Sequence, residues 1–394
     1  MQNEPTMKKQ KIIFLDTNDE IGGVITVLLH ILHRLDAGRF AITLACEKGG
    51  KPEAEFRKVS GLQVVRCRFG TKPVGISGAG LRSRLYDLTS FPRLVWTVLR
   101  LAIVVILTRI DVIYTSDKIR SVLVATLLSY LTGRRIVYHI HGMCVPSRLN
   151  RIALTRASAI LANSAATKRD FVRLIGPEME RIEVVHNGIN PAVEVEGADL
   201  RDGLGIPADA VTVGIFSRLA PNKGQEEFIE AAAHVAAAVP DTHFIVAGDE
   251  SIFDGNAGFR RRLEDLAHRL EIHDRVHFLG FCTDMPCVYR TIDIAVDAAW
   301  EEAFGMVVIE PMAFSRPVVG TDAGGIPEII EHGSNGLLVP PRNPVQLGRA
   351  ILELVEDQEK RRTIGRAARL SVEKRFSIDA QVAKVSGILV ESGS

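Results

Sequence analysis

Glu302 and Glu310 stand eight positions apart in a segment that begins Trp300-Glu301-Glu302-Ala303-Phe304-Gly305, continues to Glu310-Pro311-Met312-Ala313, and reaches Gly324-Gly325-Ile326-Pro327-Glu328. An ionised carboxylate only accepts hydrogen bonds, and each takes several O–H donors, which is what a polyol presents. The apolar pattern predicts a helix starting around Phe304, Gly305 and Met306. Its first N–H groups and the positive end of its dipole would face an anion such as a diphosphate. Two glutamates on an amphipathic helix usually lie on its solvated side. The whole constellation, rather than either carboxylate, suggests a site that holds a sugar and a ribose by their hydroxyls.

A second cluster follows an apolar run in the same half. Ser217-Arg218-Leu219 precedes Pro221-Asn222-Lys223-Gly224 and then a helical pattern. Arg218 and Lys223 would project from a strand-to-helix loop, at the edge where open α/β sheets bind ligands. Two fixed cations there could neutralise a departing diphosphate. There is no Asp-x-Asp pair to carry a divalent metal, so these cations and a helix N-terminus are expected to replace it. In the first half, Gly22-Gly23 sits between a strand and a helix, where backbone N–H groups can approach a phosphate or an acceptor. A tight turn explains that pair equally well. His139 and His141 alternate to one side of a strand end. No carboxylate or cysteine at ligand spacing accompanies them, so no metal site is expected.

Taken together these residues resemble the donor-site signature of the retaining glycosyltransferases of family 4, which have the GT-B fold. That pattern is a Glu, a Phe-Gly, a second Glu eight positions after the first, and then Gly-Gly-x-x-Glu. Here Glu302, Phe304, Gly305, Glu310, Gly324, Gly325 and Glu328 fill it. The resemblance implies catalytic roles for His141, Arg218, Lys223 and Glu302. It implies donor-binding roles for Gly22, Gly23, Phe304, Gly305, Met306, Glu310, Gly324, Gly325 and Glu328. Glu302 would contact sugar hydroxyls or orient its loop, Glu310 would hold the ribose, and His141 would lie near the transferred sugar. Asn187-Gly188-Ile189-Asn190 matches a family Asn-Gly-x-Asp element with Asn190 in place of the Asp, and reads as an interdomain turn. The implied reaction moves a hexosyl unit from a nucleotide diphosphate sugar to a saccharide or lipid-linked acceptor, with retention of configuration and no metal or other cofactor.

The elements that must position these groups alternate in both halves. Continuous apolar runs at Lys11–Leu15, Ile42–Ala45, Asp111–Tyr114, Arg135–Ile140 and Ala159–Ala162 predict buried parallel strands, and Val24–Leu35 predicts a helix. The second half predicts strands at Val211–Phe216, Phe244–Ala247, Val276–Leu279, Ile294–Val296 and Val318–Gly320. Helical patterns lie at Gln225–Ala238, Phe259–Leu270, Met306–Phe314 and Pro344–Val355. The expected architecture is α/β, with two doubly wound Rossmann-like domains facing a cleft. An acceptor-binding domain would cover 1–195 and a donor-binding domain 205–375, with linker chemistry around 190–210, at 191–197 and then at Gly203, Gly205 and Pro207. A helix over about 376–394 would pack back on the first domain, as the resemblance implies.

At 394 residues, with 46% hydrophobic and 24% charged, the chain has the make-up of a globular two-domain protein. A net charge of +1 hides an asymmetry: residues 1–190 hold 28 Lys and Arg against 15 Asp and Glu, and the rest hold 20 against 32, so the halves carry about +13 and −12. Either the halves attract one another, or the basic half meets an anionic acceptor or an anionic membrane. Nucleic acid is not expected as a partner. Five cysteines without a Cys-x-x-Cys pair indicate neither a disulfide framework nor a zinc ribbon, which fits a reducing compartment. The N-terminal apolar run stops at Asp16 and reads as a strand, not a signal peptide. The expected place is the cytoplasm, with peripheral contact at the inner face of the cell membrane as an alternative.

Leu94 to Leu107 is a run of about fourteen residues, shorter than a bilayer span. It is expected to form a buried helix, although Arg82, Arg84, Arg93, Arg100 and Arg109 around it would also suit a headgroup layer. Three rival functions remain: a nucleotide-sugar epimerase of the same architecture, a non-catalytic sugar-nucleotide-binding assembly protein, and a dehydrogenase. The last is disfavoured because no Gly-x-Gly-x-x-Gly joins a strand to a helix, although Gly75, Gly78 and Gly80 are present.

Overall fold

The computed structural model describes residues 9–18, 22–69, 81–116, 119–142, 148–190, 199–250 and 257–393. The chain divides into two compact units, Met1–Gly188 with Ile378–Ser394, and Ile189–Ser377. The linker stretch at 191–197 and the glycines at 75, 78 and 80 lie outside the described residues, as do the side chains of Arg82 and Arg84.

The first unit is built on seven strands: β1 (Gln10–Leu15), β2 (Phe40–Glu47), β3 (Gln63–Cys67), β4 (Val112–Ser116), β5 (Arg135–Ile140), β6 (Ala159–Ala162) and β7 (Glu183–Val184). They are all parallel, in the order β3-β2-β1-β4-β5-β6-β7. Ile12, Ile13 and Phe14 of β1 are wholly buried, as expected of a strand covered on both faces. Its helices are α1 (Gly23–Arg34), α2 (Lys51–Phe56), α3 (Leu81–Leu107), α4 (Ile119–Thr132), α5 (Arg148–Arg156) and α6 (Ala165–Ile175). In α6, Ser164 caps the start by accepting from Thr167 N–H.

The second unit has six parallel strands: β8 (Thr212–Phe216), β9 (His243–Ala247), β10 (Val276–Gly280), β11 (Ile294–Asp297), β12 (Val318–Thr321) and β13 (Leu337–Val339), ordered β10-β9-β8-β11-β12-β13. Around them run α7 (Arg201–Leu204), α8 (Gln225–Ala238), α9 (Phe259–Arg269), α10 (Met285–Thr291), α11 (Met306–Ala313), α12 (Pro344–Glu356) and α13 (Gln358–Arg375). Asn343 caps α12 through Gln346 N–H, with Pro344 at the first helical position. The last helix, α14 (Ile378–Gly393), belongs to the first unit. Its Gln381 accepts from Gly188 N–H at 2.9 Å and donates to Asn187 Oδ1 at 3.3 Å, which fixes the Asn187–Gly188 turn.

Both sheets are doubly wound. In each, the chain lays strands outward from one central strand and then returns to continue on that strand's other side, so the order reverses between β1 and β4 and between β8 and β11. Ligands of such sheets bind beyond the C-terminal strand ends at this reversal. One element departs from expectation. The apolar run ending at Leu107 belongs to a helix of 27 residues that continues through Pro92, and it is buried on one face only.

Candidate functional site

Three loops leave the C-terminal ends of the adjacent strands β8, β11 and β12, and each is tied to the next. Trp300 N–H donates to Asn222 O at 3.0 Å, joining the first two loops. Thr321 Oγ1 donates to Ala299 O at 2.7 Å, and Gly325 N–H donates to Glu302 O at 2.8 Å, joining the second to the third. The glycines make this stacking possible. Gly224 has φ +73°, and a Cβ there would lie 2.0 Å from Ala298 O. Gly324 has φ +58°, and its Cβ would lie 2.0 Å from Glu302 O. No L side chain fits such gaps, so the glycine sites seen in the sequence are backbone-to-backbone contacts.

The candidate side chains sit on this platform. Lys223 Nζ meets Glu302 Oε2 at 2.5 Å, with the two side chains 20% and 21% exposed. Arg218, two residues beyond β8, is exposed. Its backbone is fixed by the fully buried Gln225, which donates to Arg218 O at 3.0 Å and to Ser217 Oγ at 2.7 Å. α11 begins at Gly305, which offers no side-chain cap, so first-turn amides at Met306 are left for an anion. Phe304 is buried, edge-on to Phe376, and anchors the loop from below. Its side chain is therefore core, and only its backbone can serve a ligand.

Glu310 is half-buried on α11 and accepts from the Tyr289 hydroxyl. Burial raises the Glu310 carboxyl above its ordinary value, against the Tyr289 hydrogen bond, which lowers it. Tyr289 is itself pushed well above the usual phenol range, by burial and by the Glu310 charge. Glu328 follows Gly325 in a single 3-10 turn (Ile326–Glu328), and its carbonyl accepts from Arg375. Arg218, Lys223, Glu302, Gly305, Met306, Glu310, Gly324, Gly325 and Glu328 thus stand on one edge of one sheet. A pocket of about 330 Å³ opens beside them, lined by Asn222, Trp300, Glu301, Gly324 and Arg342 among others, with the Arg342 guanidinium 3.8 Å from the Trp300 ring centre.

Sequence reasoning missed Asp297, the last residue of β11. It is 5% exposed; Oδ1 accepts from Ala299 N–H at 3.1 Å, and Oδ2 has no hydrogen-bond partner among the described residues. Burial first, and the Glu302 charge second, raise its pKa to about 6, while Lys223 pulls it down. A carboxylate ending an apolar strand, at the edge where ligands bind, was the signal that could have found it.

The first unit holds the remaining residues. Gly22 and Gly23 are exposed at the start of α1, and among the described residues a Cβ on either would meet nothing within 4 Å. His141 lies one residue past β5 and is half-buried, its ring 4.0 Å from that of His139. Asn163 Nδ2 donates to His141 O at 2.9 Å and fixes that backbone. His139 is wholly buried, and its Nδ1 is hydrogen-bonded to the Tyr114 hydroxyl. Burial, and then the His141 charge, depress the His139 pKa well below the usual imidazole range. Burial also raises the Tyr114 phenol, so the protonated hydroxyl donates to a neutral ring. His139 is accordingly a core residue, and His141 is the imidazole at the loop.

These features find counterparts among known proteins. The family model described as Glycosyltransferase Family 4 matches residues 21–193, and that described as Glycosyl transferases group 1 matches residues 198–371. The D-inositol 3-phosphate glycosyltransferase of Streptomyces bingchenggensis is 29% identical over 245 residues, 60% of this chain and 53% of that protein. The alpha-D-kanosaminyltransferase of Streptomyces kanamyceticus is 32% identical over 250 residues, 62% of this chain and 63% of that one. The chain spans about half the length of the first of these curated relatives. Among solved structures, HepE of Anabaena in complex with UDP and glucose is 28% identical, covers 97% of this chain and 99% of that one, and superposes with a TM-score of 0.81. The chain thus matches a family 4 model in its first part and a group 1 glycosyl transferase model in its second, and its two parallel-sheet α/β domains have the GT-B fold.

Proposed function

We propose that the protein is a retaining, metal-independent glycosyltransferase that moves a hexosyl unit from a nucleotide diphosphate sugar to a hydroxyl of a saccharide or lipid-linked acceptor. Its setting would be surface polysaccharide or glycolipid synthesis, in the cytoplasm and at the inner face of the membrane. The observation that carries this reading is the Lys223–Glu302 pair, held on three interlocked loops that also present Arg218, the α11 amides and Glu310. In the proposed step the bond from the anomeric carbon to the phosphate oxygen breaks, and the diphosphate gains negative charge. Arg218, Lys223 and the α11 N-terminus would stabilise that charge. The acceptor hydroxyl bonds to the same face of the anomeric carbon, and its proton passes to the departing phosphate. Glu302 orients Lys223 and takes sugar hydroxyls, and Glu310 takes those of the ribose. The carboxylates position the donor and are not the nucleophile-and-acid pair of a glycosidase.

The likeness to HepE, solved with UDP and glucose, makes uridine diphosphate sugars the first donors to test. A true donor at a hundred times its dissociation constant adds about 2.7 kcal/mol to stability and raises the melting temperature. Incubating that donor with acceptor extracts should give a product of retained configuration by NMR, with a yield unchanged by EDTA. Isomerisation of the donor with no acceptor present would identify an epimerase. Donor binding with no turnover on any acceptor would identify an assembly protein.

A further inference from the structure

The donor site leaves one part of the molecule unexplained. Helix α3 sets Leu94, Val98, Leu101, Ala102 and Val105 into the core of its unit, at the spacing of one helical face. The opposite face is apolar too. Val95, Trp96, Leu99, Ile103, Ile106 and Leu107 are exposed, Trp96 to 70% and Leu107 to 77%. Water gains nothing from such a stripe, and continuous apolar surface of this kind marks a place of interaction. α4 packs beside α3 and ends in the exposed Tyr130 and Leu131, with the Arg156 guanidinium of α5 lying 4.9 Å from the Tyr130 ring centre.

Charge decides what covers this face. Residues 88–169 contain twelve Lys and Arg and only two acidic residues, Asp111 and Asp117. Arg93 and Arg100 are both exposed and lie two helical turns apart along one border of the α3 stripe. A second copy docking through the same patch would set arginine against arginine with almost no carboxylate to answer it. An anionic bilayer meets both features, since its acyl boundary takes the apolar stripe and its headgroups take the guanidinium ends, with Trp96 at the interface between them. The stretch Ser90–Leu107 is long and apolar enough to cross a membrane by length and composition. Its inner face is packed into the unit, however, so the helix would lie along a bilayer surface.

We infer that α3, with the end of α4, is a docking surface for an anionic lipid bilayer, the helix lying flat in the headgroup layer. This deepens the membrane side of the function proposed above. It rests on residues that hold no donor group, so the two readings fail separately.

Flotation with vesicles of phosphatidylglycerol and phosphatidylcholine, against vesicles of phosphatidylcholine alone, tests it without donor or acceptor. The parent should float with the anionic vesicles and dissociate in high salt. Brominated lipid should quench its fluorescence, and that quenching should vanish in Trp96→Phe. The variant Trp96→Ser/Leu99→Ser/Ile103→Ser should keep the parent's melting temperature and donor-induced melting shift yet lose flotation. Replacing Arg93 or Arg100 by Gln should weaken binding about fivefold each, a readout that stands even if the triple variant misfolds. Three results would overturn the inference: no flotation with anionic vesicles, equal flotation by the folded triple variant, or a parent dimer that the triple variant abolishes.

Discussion

The two sheets share a winding, yet their glycines at the ligand-binding edge obey different demands. In the second unit, Gly224 and Gly324 are left-handed and touch neighbouring backbone, so the fold itself forbids a side chain. In the first, no described residue comes within 4 Å of a Cβ placed on Gly22 or Gly23. A glycine required by packing and one free of it look alike in a sequence, and only the first predicts a folding defect. That edge of the second unit is thus a platform made by its own backbone.

Substitution at the two edges can break or sharpen this contrast. The largest effect should come from Gly324→Ala, which combines a positive φ with a backbone clash; a loss of roughly 3 kcal/mol or more is expected in denaturant unfolding. A stability equal to the parent would show that the loops are not interlocked. Arg218→Ala and Lys223→Ala should each lower transfer about a hundredfold, near 3 kcal/mol of transition-state stabilisation, with a smaller loss of donor affinity. Turnover within about threefold of the parent for both would remove these cations from the mechanism.

A pH effect of intermediate size should follow from Asp297. Its folded pKa of about 6 lies above the ordinary carboxylate value of 3.8, so the folded chain binds more protons than the unfolded one between these values. Its contribution must therefore fall as pH rises from about 4 to 6, by on the order of 3 kcal/mol. Asp297→Asn should flatten that part of a stability-against-pH curve. An unchanged slope would place the buried proton elsewhere. Smaller still, Glu310→Gln should weaken donor binding about tenfold in calorimetry, the worth of one charge-assisted hydrogen bond. Last, Gly22→Ala and Gly23→Ala should move stability by less than about 0.5 kcal/mol while lowering turnover, whereas a folding loss at either would erase the contrast between the edges.

The sequence was most legible where physics is local. Fully buried parallel strands such as β1, β5 and β8 read as unbroken apolar runs, and α8 begins and ends where its pattern predicts. β3 escaped notice because Gln63 and Arg66 interrupt the apolar run of a short strand on a sheet edge, and β7 has only two residues. The length of α3 was hidden by Pro92, which ordinarily stops a helix, and by the polar turn before it. At the site, motif residues could be read because their spacing is fixed along the chain. Tyr289 could not, since it acts through Glu310, 21 positions along the chain, and Asp297, marked in the sequence only by ending an apolar strand, shows its tie to Lys223 in the fold alone. The apolar composition of α3 was legible, but not which half of it faces outward.

The central claim is that Arg218 and Lys223, on the interlocked loops of the second unit, hold the diphosphate of a nucleotide sugar. Isothermal titration of uridine, guanosine and adenosine diphosphate sugars into the parent and into the Arg218→Ala/Lys223→Ala variant tests it directly. At least one donor should bind the parent, and its affinity should fall tenfold or more in a variant that melts like the parent. Equal affinity in both proteins, or no nucleotide sugar bound by the parent, would contradict the account.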